Sequence, residues 1–169
     1  MSLTEHAASA VIHARMLRNV LTWLDKAQAH ADAKGQDSAE LLGLRLAPDM
    51  LPFSQQVLIA CEMAKITLAR LAGIDLSAFT GATDSLAALR ARVEAAIAMV
   101  EGVSADQLAG RSSAEVVLPQ RQGEPLHFTG ETFLQQWALP NFFFHVTTTY
   151  ALLRHAGVPL GKADYLGAS

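Results

Sequence analysis

The sequence is poor in charge, in cysteine and in long apolar runs, and each shortage excludes a class of protein. Its 169 residues carry 17% charged side chains and a net charge of −3, which argues against the Lys and Arg clusters that bind phosphate backbones. The single cysteine excludes an internal disulfide and fits a reducing cytoplasm. No apolar run approaches the roughly 18 residues that cross a membrane, and segment 1–13 lacks the basic and apolar regions of a signal peptide. We therefore expect a cytoplasmic protein that binds neither nucleic acid nor membrane.

Helix-forming residues dominate what is present. Alanine contributes 30 residues and leucine 24, about a third of the chain, and hydrophobic residues make up 51%. Alanine and leucine favour helices, and proline and glycine stand almost entirely between the long segments. At about 150 residues per domain, the chain is predicted to form a single domain, residues 1–169, with an all-α fold.

Apolar residues recurring at steps of three and four predict four long helices. The first begins near Thr4 and ends at Gly35. The second begins at Asp49 as its N-cap, places Pro52 in its first turn and ends at Gly73. The third begins at Thr83 or Asp84 and ends at Gly102, and the fourth runs from Gly130 to Ala156.

Pro140 lies inside the fourth helical pattern and leaves two interpretations open. One helix ends at Leu139 and a new one begins with Pro140 in its first turn, or a single helix kinks at this position. Between the third and fourth helices, residues 115–118 and 125–128 flank a polar turn and predict a small β-hairpin. Ser104 and Gln107 have the spacing of a capping box, which predicts one further helical turn.

Standard catalytic motifs are missing from the sequence. It has no glycine-rich phosphate loop, no Gly-x-Ser-x-Gly, no His-Glu-x-x-His and no Cys-x-x-Cys. No two of its histidines stand three or four residues apart, as two ligands of one metal on one helix do. We therefore predict no metal site and no cofactor. The six histidines are His6, His13, His30, His127, His145 and His155.

His145 is the strongest candidate for chemistry because the bulky run Phe142–Phe144 precedes it. It is either a core histidine satisfied by hydrogen bonds or a base or metal ligand in a pocket, with a pKa shifted by desolvation. Gln56 lies on the buried face of the second helix and needs a polar partner. We predict that this partner is His145. Three consecutive phenylalanines cannot all face one core, so at least one is predicted to meet the hairpin, the tail or a second subunit.

Other polar residues have structural explanations beside functional ones. Asp49 is an N-cap or a second catalytic residue. Tyr150 and Arg154 stand four apart and form a polar patch, although an arginine at a helix C-terminus is also favoured by the helix dipole. Cys61 lies on an apolar stripe, where a thiol is usually inert. Lys162 and Asp164 are predicted to hold the tail on the bundle through ion pairs.

Two blocks of the sequence resemble a bacterial family of unknown function, DUF1993. The first block contains Asp49-Met50, Gln56-Val57, Ala60-Cys61 and Leu71-Ala72-Gly73. The second contains Pro140-Asn141-Phe142-Phe143-Phe144-His145-Val146, Leu153-Arg154, Gly157-Val158 and Lys162-Ala163-Asp164-Tyr165-Leu166-Gly167. The resemblance covers nearly the whole chain.

This resemblance implies the DinB/YfiT-like fold, a four-helix bundle whose connections differ from a simple up-and-down bundle. Many members are dimers, and characterised relatives are metal-dependent enzymes, including thiol transferases. Their metal site has three histidines, one on the second helix and a His-x-x-x-His pair on the last. Here residues 49–72 contain no histidine, and Asn141 and Thr149 stand four residues from His145. The resemblance therefore does not carry the metal site over.

Three functional hypotheses follow. The first is a homodimeric protein that binds a small molecule in a pocket near His145, with Gln56, Tyr150 and Arg154 as further binding residues. The alternative is a hydrolase or transferase that uses His145 as base or metal ligand, with Asp49 as a second catalytic candidate. The third gives these polar residues a purely structural role.

Overall fold

The computed structural model describes residues 4–120 and 122–167. It is a helical bundle with one small hairpin, as the sequence predicts. In chain order its elements are a π turn (Ala7–Val11), α1 (Ile12–Lys34), a 3₁₀ turn (Ser38–Gly43), α2 (Phe53–Ala72), α3 (Leu86–Glu101), α4 (Ala105–Leu108), a 3₁₀ turn (Arg111–Ser113), β1 (Glu115–Leu118), β2 (Leu126–Thr129), α5 (Gly130–Phe133), a π turn (Leu134–Ala138), α6 (Leu139–His155) and α7 (Lys162–Leu166).

Helical backbone begins at Glu5 and continues through the π turn into α1, so the first helical segment has the predicted ends. The Thr4 hydroxyl accepts the Ala7 N–H at 3.1 Å, which satisfies one of the unpaired donors of the first turn. Gly35 ends α1 in the left-handed conformation, with φ of 61°.

The predicted start of the second helix at Asp49 is wrong. Asp49 is exposed in a turn in which the Met50 N–H donates to the Ala47 carbonyl at 3.0 Å, and α2 begins only at Phe53. The physical reason is Pro52, which disfavours a helical conformation of the residue before it. The third helix also begins slightly later than predicted, because Ser85 is its N-cap and accepts the Ala88 N–H at 3.1 Å.

The four long helices do not follow an up-and-down order. Helix α1 packs against α3 and α6, and α2 packs against the same two helices. The consecutive helices α1 and α2 therefore lie diagonally across the bundle. This arrangement confirms the expectation that the connections differ from those of a simple bundle.

Large side chains from all parts of the bundle meet in one core. Trp23, Phe53, Phe133 and Phe142 are fully buried, together with leucines from α1, α2, α3 and α6. Burial of one such side chain stabilises the fold by about 1.5–3 kcal/mol. No helix in the described part of the chain is long and apolar enough to cross a membrane.

The backbone stays helical through Pro140. A π turn at Leu134–Ala138 joins α5 to α6, and the Leu139 N–H donates to the Leu134 carbonyl, five residues back. A proline lacks the N–H of a helical bond and its ring presses on the carbonyl four residues earlier. The π turn just before Pro140 changes the hydrogen-bond register at that point. The structure thus supports one continuous helical segment rather than a stop at Leu139.

The predicted hairpin and the predicted capping box are confirmed. Strands β1 and β2 pair antiparallel, with Glu115 opposite Thr129 and Leu118 opposite Leu126. Ser104 accepts the Gln107 N–H at 3.3 Å, and the Gln107 side chain accepts the Ser104 N–H at 2.8 Å.

The phenylalanine run divides between the core and the surface, as predicted. Phe142 is fully buried, whereas Phe144 is 55% exposed. Phe143 lines a cavity of about 530 Å³ together with Tyr165 and Leu166 of the tail. The helical periodicity forces this division, because consecutive residues point about 100° apart.

The C-terminal helix α7 is held on α1 by polar contacts. The Lys26 ammonium donates to the Asp164 carboxylate at 2.5 Å, the Trp23 indole donates to the Asp164 carbonyl at 3.1 Å, and the Asn19 amide donates to the Tyr165 carbonyl at 2.9 Å. Asp164 therefore holds the tail as predicted. Lys162 is exposed and makes no ion pair within the described part of the chain.

Replacing Asp164 with alanine is expected to lower the melting temperature by a few degrees. The hydrogen bond from Lys26 lowers the pKa of Asp164, so the carboxylate stabilises the fold at neutral pH. This stabilisation is lost as the pH falls through the pKa of the folded state. Thermal unfolding of Asp164→Ala and of the control Lys162→Ala measures the effect. An equal loss in both variants would contradict the role of Asp164.

Candidate functional site

Gln56 and His145 join two helices through a buried hydrogen bond. The Nδ1 atom of His145, on α6, lies 2.7 Å from the Oε1 atom of Gln56, on α2. Both side chains are buried, with 1% of Gln56 and 9% of His145 exposed. The predicted contact between these two residues is confirmed.

The protonation of His145 follows from its neighbours. The Gln56 amide donates from Nε2 to the Leu51 carbonyl at 3.0 Å, and a carbonyl can only accept. The Oε1 atom of Gln56 must therefore face His145 and accept a proton from Nδ1. In the neutral imidazole the lone pair is then on Nε2, which makes no hydrogen bond to any described residue.

Burial keeps this imidazole neutral. Desolvation lowers the pKa of His145 below its ordinary value of 6.5, because the charged form loses its hydration. No described carboxylate is paired with the ring to offset this effect. Near neutral pH, Nε2 is thus available as a hydrogen-bond acceptor, a base or a ligand.

The surroundings of the pair are partly apolar and partly exposed. The Phe144 ring meets the His145 ring edge to face, with centroids 5.2 Å apart. Leu51, whose carbonyl holds Gln56, is 47% exposed. A molecule that reached His145 would therefore meet apolar side chains as well as one acceptor nitrogen.

The hydroxyl groups of Thr148 and Thr149, near His145 on α6, donate hydrogen bonds to backbone carbonyls. Thr148 donates to the Phe144 carbonyl at 2.7 Å, and Thr149 donates to the His145 carbonyl at 2.9 Å. These bonds within α6 satisfy the two buried hydroxyls. Neither hydroxyl is placed as a nucleophile activated by His145.

None of the other predicted site residues hydrogen-bonds to the pair among the described residues. Asp49 makes no hydrogen bond to His145 or Gln56 within residues 4–120 and 122–167. Tyr150 packs against Trp23 and Tyr165, with ring centroids 5.6 and 5.5 Å away, because five residues turn a helix about 140° from His145. Arg154 is exposed in the last turn of α6.

The predicted pocket around His145 does not coincide with any of five surface cavities among the described residues. None of the five has His145, Gln56, Tyr150 or Arg154 in its lining.

Cys61 has the environment of a packing residue. It is fully buried in α2, and desolvation raises the pKa of its thiol to about 12. A thiol is a poor nucleophile when its thiolate is so disfavoured. This agrees with the expectation that it is inert.

A second buried histidine, His13, is not among the site residues that the sequence predicts. His13 is fully buried on α1, its Nδ1 donates to the Ser9 carbonyl at 2.7 Å, and its ring lies 4.4 Å from that of Phe142. Its Nε2 is buried without a partner among the described residues. Burial lowers the pKa of His13 to about 4. Its burial is indicated in the sequence by its position on the apolar face of the first helix, three residues after Ala10 and four before Leu17.

Similar proteins agree with this architecture. A crystal structure of a DinB family member protein from Shewanella denitrificans superposes with a TM-score of 0.86 and 38% sequence identity, over 97% of this chain and 92% of that chain. No curated protein matches the chain. The helix order and this similarity define a DinB-like helical bundle.

Within that class, the family model described as a domain of unknown function, DUF1993, matches residues 6–166. The chain therefore belongs to the DUF1993 family, as its two sequence blocks suggested.

The three-histidine metal site expected of metal-dependent DinB-like relatives does not fit these residues. Helix α2 offers Gln56 rather than a histidine to His145, and Thr149 is bonded to the backbone of its own helix. Among residues 4–120 and 122–167, no three His, Cys, Asp or Glu side chains come together at metal-binding distance.

Proposed function

We propose that this protein binds a small organic molecule at the Gln56–His145 pair, through a hydrogen bond from the molecule to Nε2 of His145. The observation that carries the proposal is the chain of hydrogen bonds from Nδ1 through Gln56 to the Leu51 carbonyl. It holds the ring in one orientation and one tautomer, which is the preorganisation that a binding group needs.

The chemistry of the pair indicates the class of ligand. A neutral Nε2 accepts a hydrogen bond, so the ligand should carry an uncharged O–H or N–H donor. The exposed faces of Phe144 and Leu51 favour an apolar body beside that donor. We leave Tyr150 and Arg154 outside the proposed site, because Tyr150 faces α1 and α7 and Arg154 lies nine residues farther along α6.

The alternative, a hydrolase or transferase with His145 as its base, is favoured by the same free Nε2. It requires a substrate hydroxyl or a water molecule as nucleophile, because Thr148 and Thr149 are engaged with backbone carbonyls. A ligand that binds at His145 and is not converted indicates a binding protein, whereas conversion of the ligand indicates an enzyme.

The homodimer and the cytoplasmic location stay predictions. The molar mass in solution tests the homodimer.

Phenol and anisole are matched probes for the proposed site, because only phenol carries an O–H donor. Phenol is expected to shift the Nε2 resonance of His145 in ¹⁵N NMR spectra, and anisole is expected to leave it in place. The phenol effect should disappear as the pH falls through the pKa of His145, since a protonated Nε2 cannot accept. Equal shifts with both probes would contradict the proposal.

Gln56→Glu tests whether the side chain at position 56 controls the protonation of the His145 imidazole. A carboxylate facing Nδ1 is expected to raise the pKa of His145, because it stabilises the imidazolium. Phenol binding at neutral pH should then weaken. Gln55→Glu is the matched control, since Gln55 is exposed on the same helix. A His145 pKa that responds equally to both variants would show that Gln56 has no special role.

A further inference from the structure

A cleft that does not include His145 lies between the C-terminal end of α2 and strand β1. The cleft has a volume of about 460 Å³. Its lining contains three cationic side chains, Lys65, Arg70 and Arg111. It also contains two acidic side chains, Asp75 and Glu115. A volume of this size is in the range of small-molecule sites.

Arg111 lines the cleft and is anchored to the end of α2. Its Nε donates to the Leu71 carbonyl at 2.6 Å, near the end of α2. Its Nη2 lies over Gly73, so close that a Cβ built on that glycine would be 2.7 Å away. Gly73 also has a φ of 68°. Glycine at this turn therefore permits both the left-handed backbone and the approach of the guanidinium group.

Some charged side chains of the cleft are in ion pairs and others are not. Lys65 is paired with Glu62 at 2.7 Å, and Glu115 lies 3.0 Å from His127. In contrast, Arg70 and Arg111 make no ion pair within residues 4–120 and 122–167. Two arginines with free N–H groups thus face one cleft.

We propose that this cleft binds a small organic carboxylate, with its carboxylate group on Arg70 and Arg111. Arginine presents paired N–H donors that match the two oxygens of a carboxylate. Leu76 and Val117, which are partly exposed in the lining, supply apolar walls for the rest of the molecule. A singly charged anion is favoured, because Asp75 and Glu115 in the same lining repel a second negative charge. This site is independent of the proposed function at His145.

The structural role of Arg111 as a cap of α2 does not account for the cleft. A cap requires only the bond from Nε to the Leu71 carbonyl, which leaves both Nη groups unused. Arg70 is exposed and takes no part in that cap. If Arg111 serves only as a cap of α2, replacing Arg70 should not change the affinity of the protein for any ligand.

Hexanoate, acetate and inorganic phosphate are the probes, added at constant ionic strength while the side-chain Nε–H signals of the arginines are followed by NMR. Hexanoate is expected to shift the signals of Arg70 and Arg111 and to bind more tightly than acetate or phosphate. Arg70→Gln is expected to weaken hexanoate binding about tenfold, since it removes a charge-assisted hydrogen bond. Arg70 is the first variant because its exposed side chain makes no ion pair whose loss would endanger folding.

Arg111→Lys and Lys162→Gln complete the set. The first keeps the charge but loses the paired donors, and should also weaken hexanoate binding. The second removes an exposed cation on α7 and should have no effect. The proposal is overturned if hexanoate causes no shift, if Arg70→Gln binds as tightly as the unchanged protein, if Lys162→Gln weakens binding equally, or if phosphate binds more tightly than hexanoate.

Discussion

Acidification from about pH 7 to about pH 4 is expected to lower the free energy of unfolding by about 3 kcal/mol through His13 alone. The pKa of His13 is about 4 in the folded protein, against an ordinary value of 6.5. Between these two values the unfolded chain binds a proton that the folded protein does not. Stability therefore rises with pH across this window and is lost as the pH falls.

The physical cause is the environment of Nε2. His13 is fully buried, and its Nδ1 already donates to the Ser9 carbonyl at 2.7 Å. A proton added to Nε2 would create a buried charge whose new N–H has no acceptor among the described residues. The nearest ring, Phe142, offers only its aromatic surface. A charge buried without a partner is among the most costly changes in a protein interior.

His13→Leu separates this effect from general acid unfolding. Leucine does not titrate, has a similar volume and removes the unpaired nitrogen, and the Ser9 carbonyl keeps the Ile12 N–H as a donor. Urea unfolding at a series of pH values should show that the variant loses about 3 kcal/mol less than the unchanged protein over this range. His127→Leu is the control, because His127 is exposed on the hairpin. Parallel pH curves for the His13 variant and the unchanged protein would refute the explanation.

Gly130→Ala is expected to destabilise the protein by about 3 kcal/mol or more, because it forces a backbone shift in a packed region. Gly130 is the first residue of α5, directly after the hairpin. A Cβ at this position would lie 2.1 Å from the carbonyl oxygen of Arg111 and 3.4 Å from the Leu71 side chain. The Gly130 N–H also donates to the Ala114 carbonyl at 2.8 Å, so the two segments cannot separate without losing a buried hydrogen bond.

Gly43→Ala provides a matched control for this substitution. Gly43 ends a 3₁₀ turn, is exposed, and has no atom within 4 Å of an added Cβ. Its replacement is expected to change stability by less than about 0.5 kcal/mol. Thermal and urea unfolding of both variants measure the difference. Similar stabilities for the two variants would mean that the contact between Gly130 and Arg111 relaxes freely.

Much of the secondary structure could be predicted from local patterns. The cap at Thr4, the stop at Gly35 and the hairpin between the third and fourth long helices depend on residues near each other in sequence. Asp49 has the preference of an N-cap residue, but the restriction that Pro52 imposes on the preceding residue outweighs it, and α2 begins only at Phe53.

The candidate site could be predicted only in part. Gln56 stood on an apolar face and therefore needed a partner, and His145 was the titratable residue among bulky side chains of another helix. Their contact at 2.7 Å confirms that argument. Tyr150 is a polar group on the same helix as His145, but the directions of the two side chains differ by about 140° around the helix axis. The sequence does not predict the cleft with Arg70 and Arg111, since it joins three segments whose proximity no local pattern encodes.

The sequence by itself determined the helical class, the hairpin and the absence of histidines from the second helix, because helix propensity, turn residues and apolar periodicity act over a few residues. Only the tertiary structure decided that α1 and α2 lie diagonally, that His13 is buried without a partner for Nε2, and that Gly130 has no room for a Cβ. Those properties depend on which distant segments pack together. Desolvation and steric exclusion are properties of the assembled surroundings, so one stretch of sequence cannot specify them.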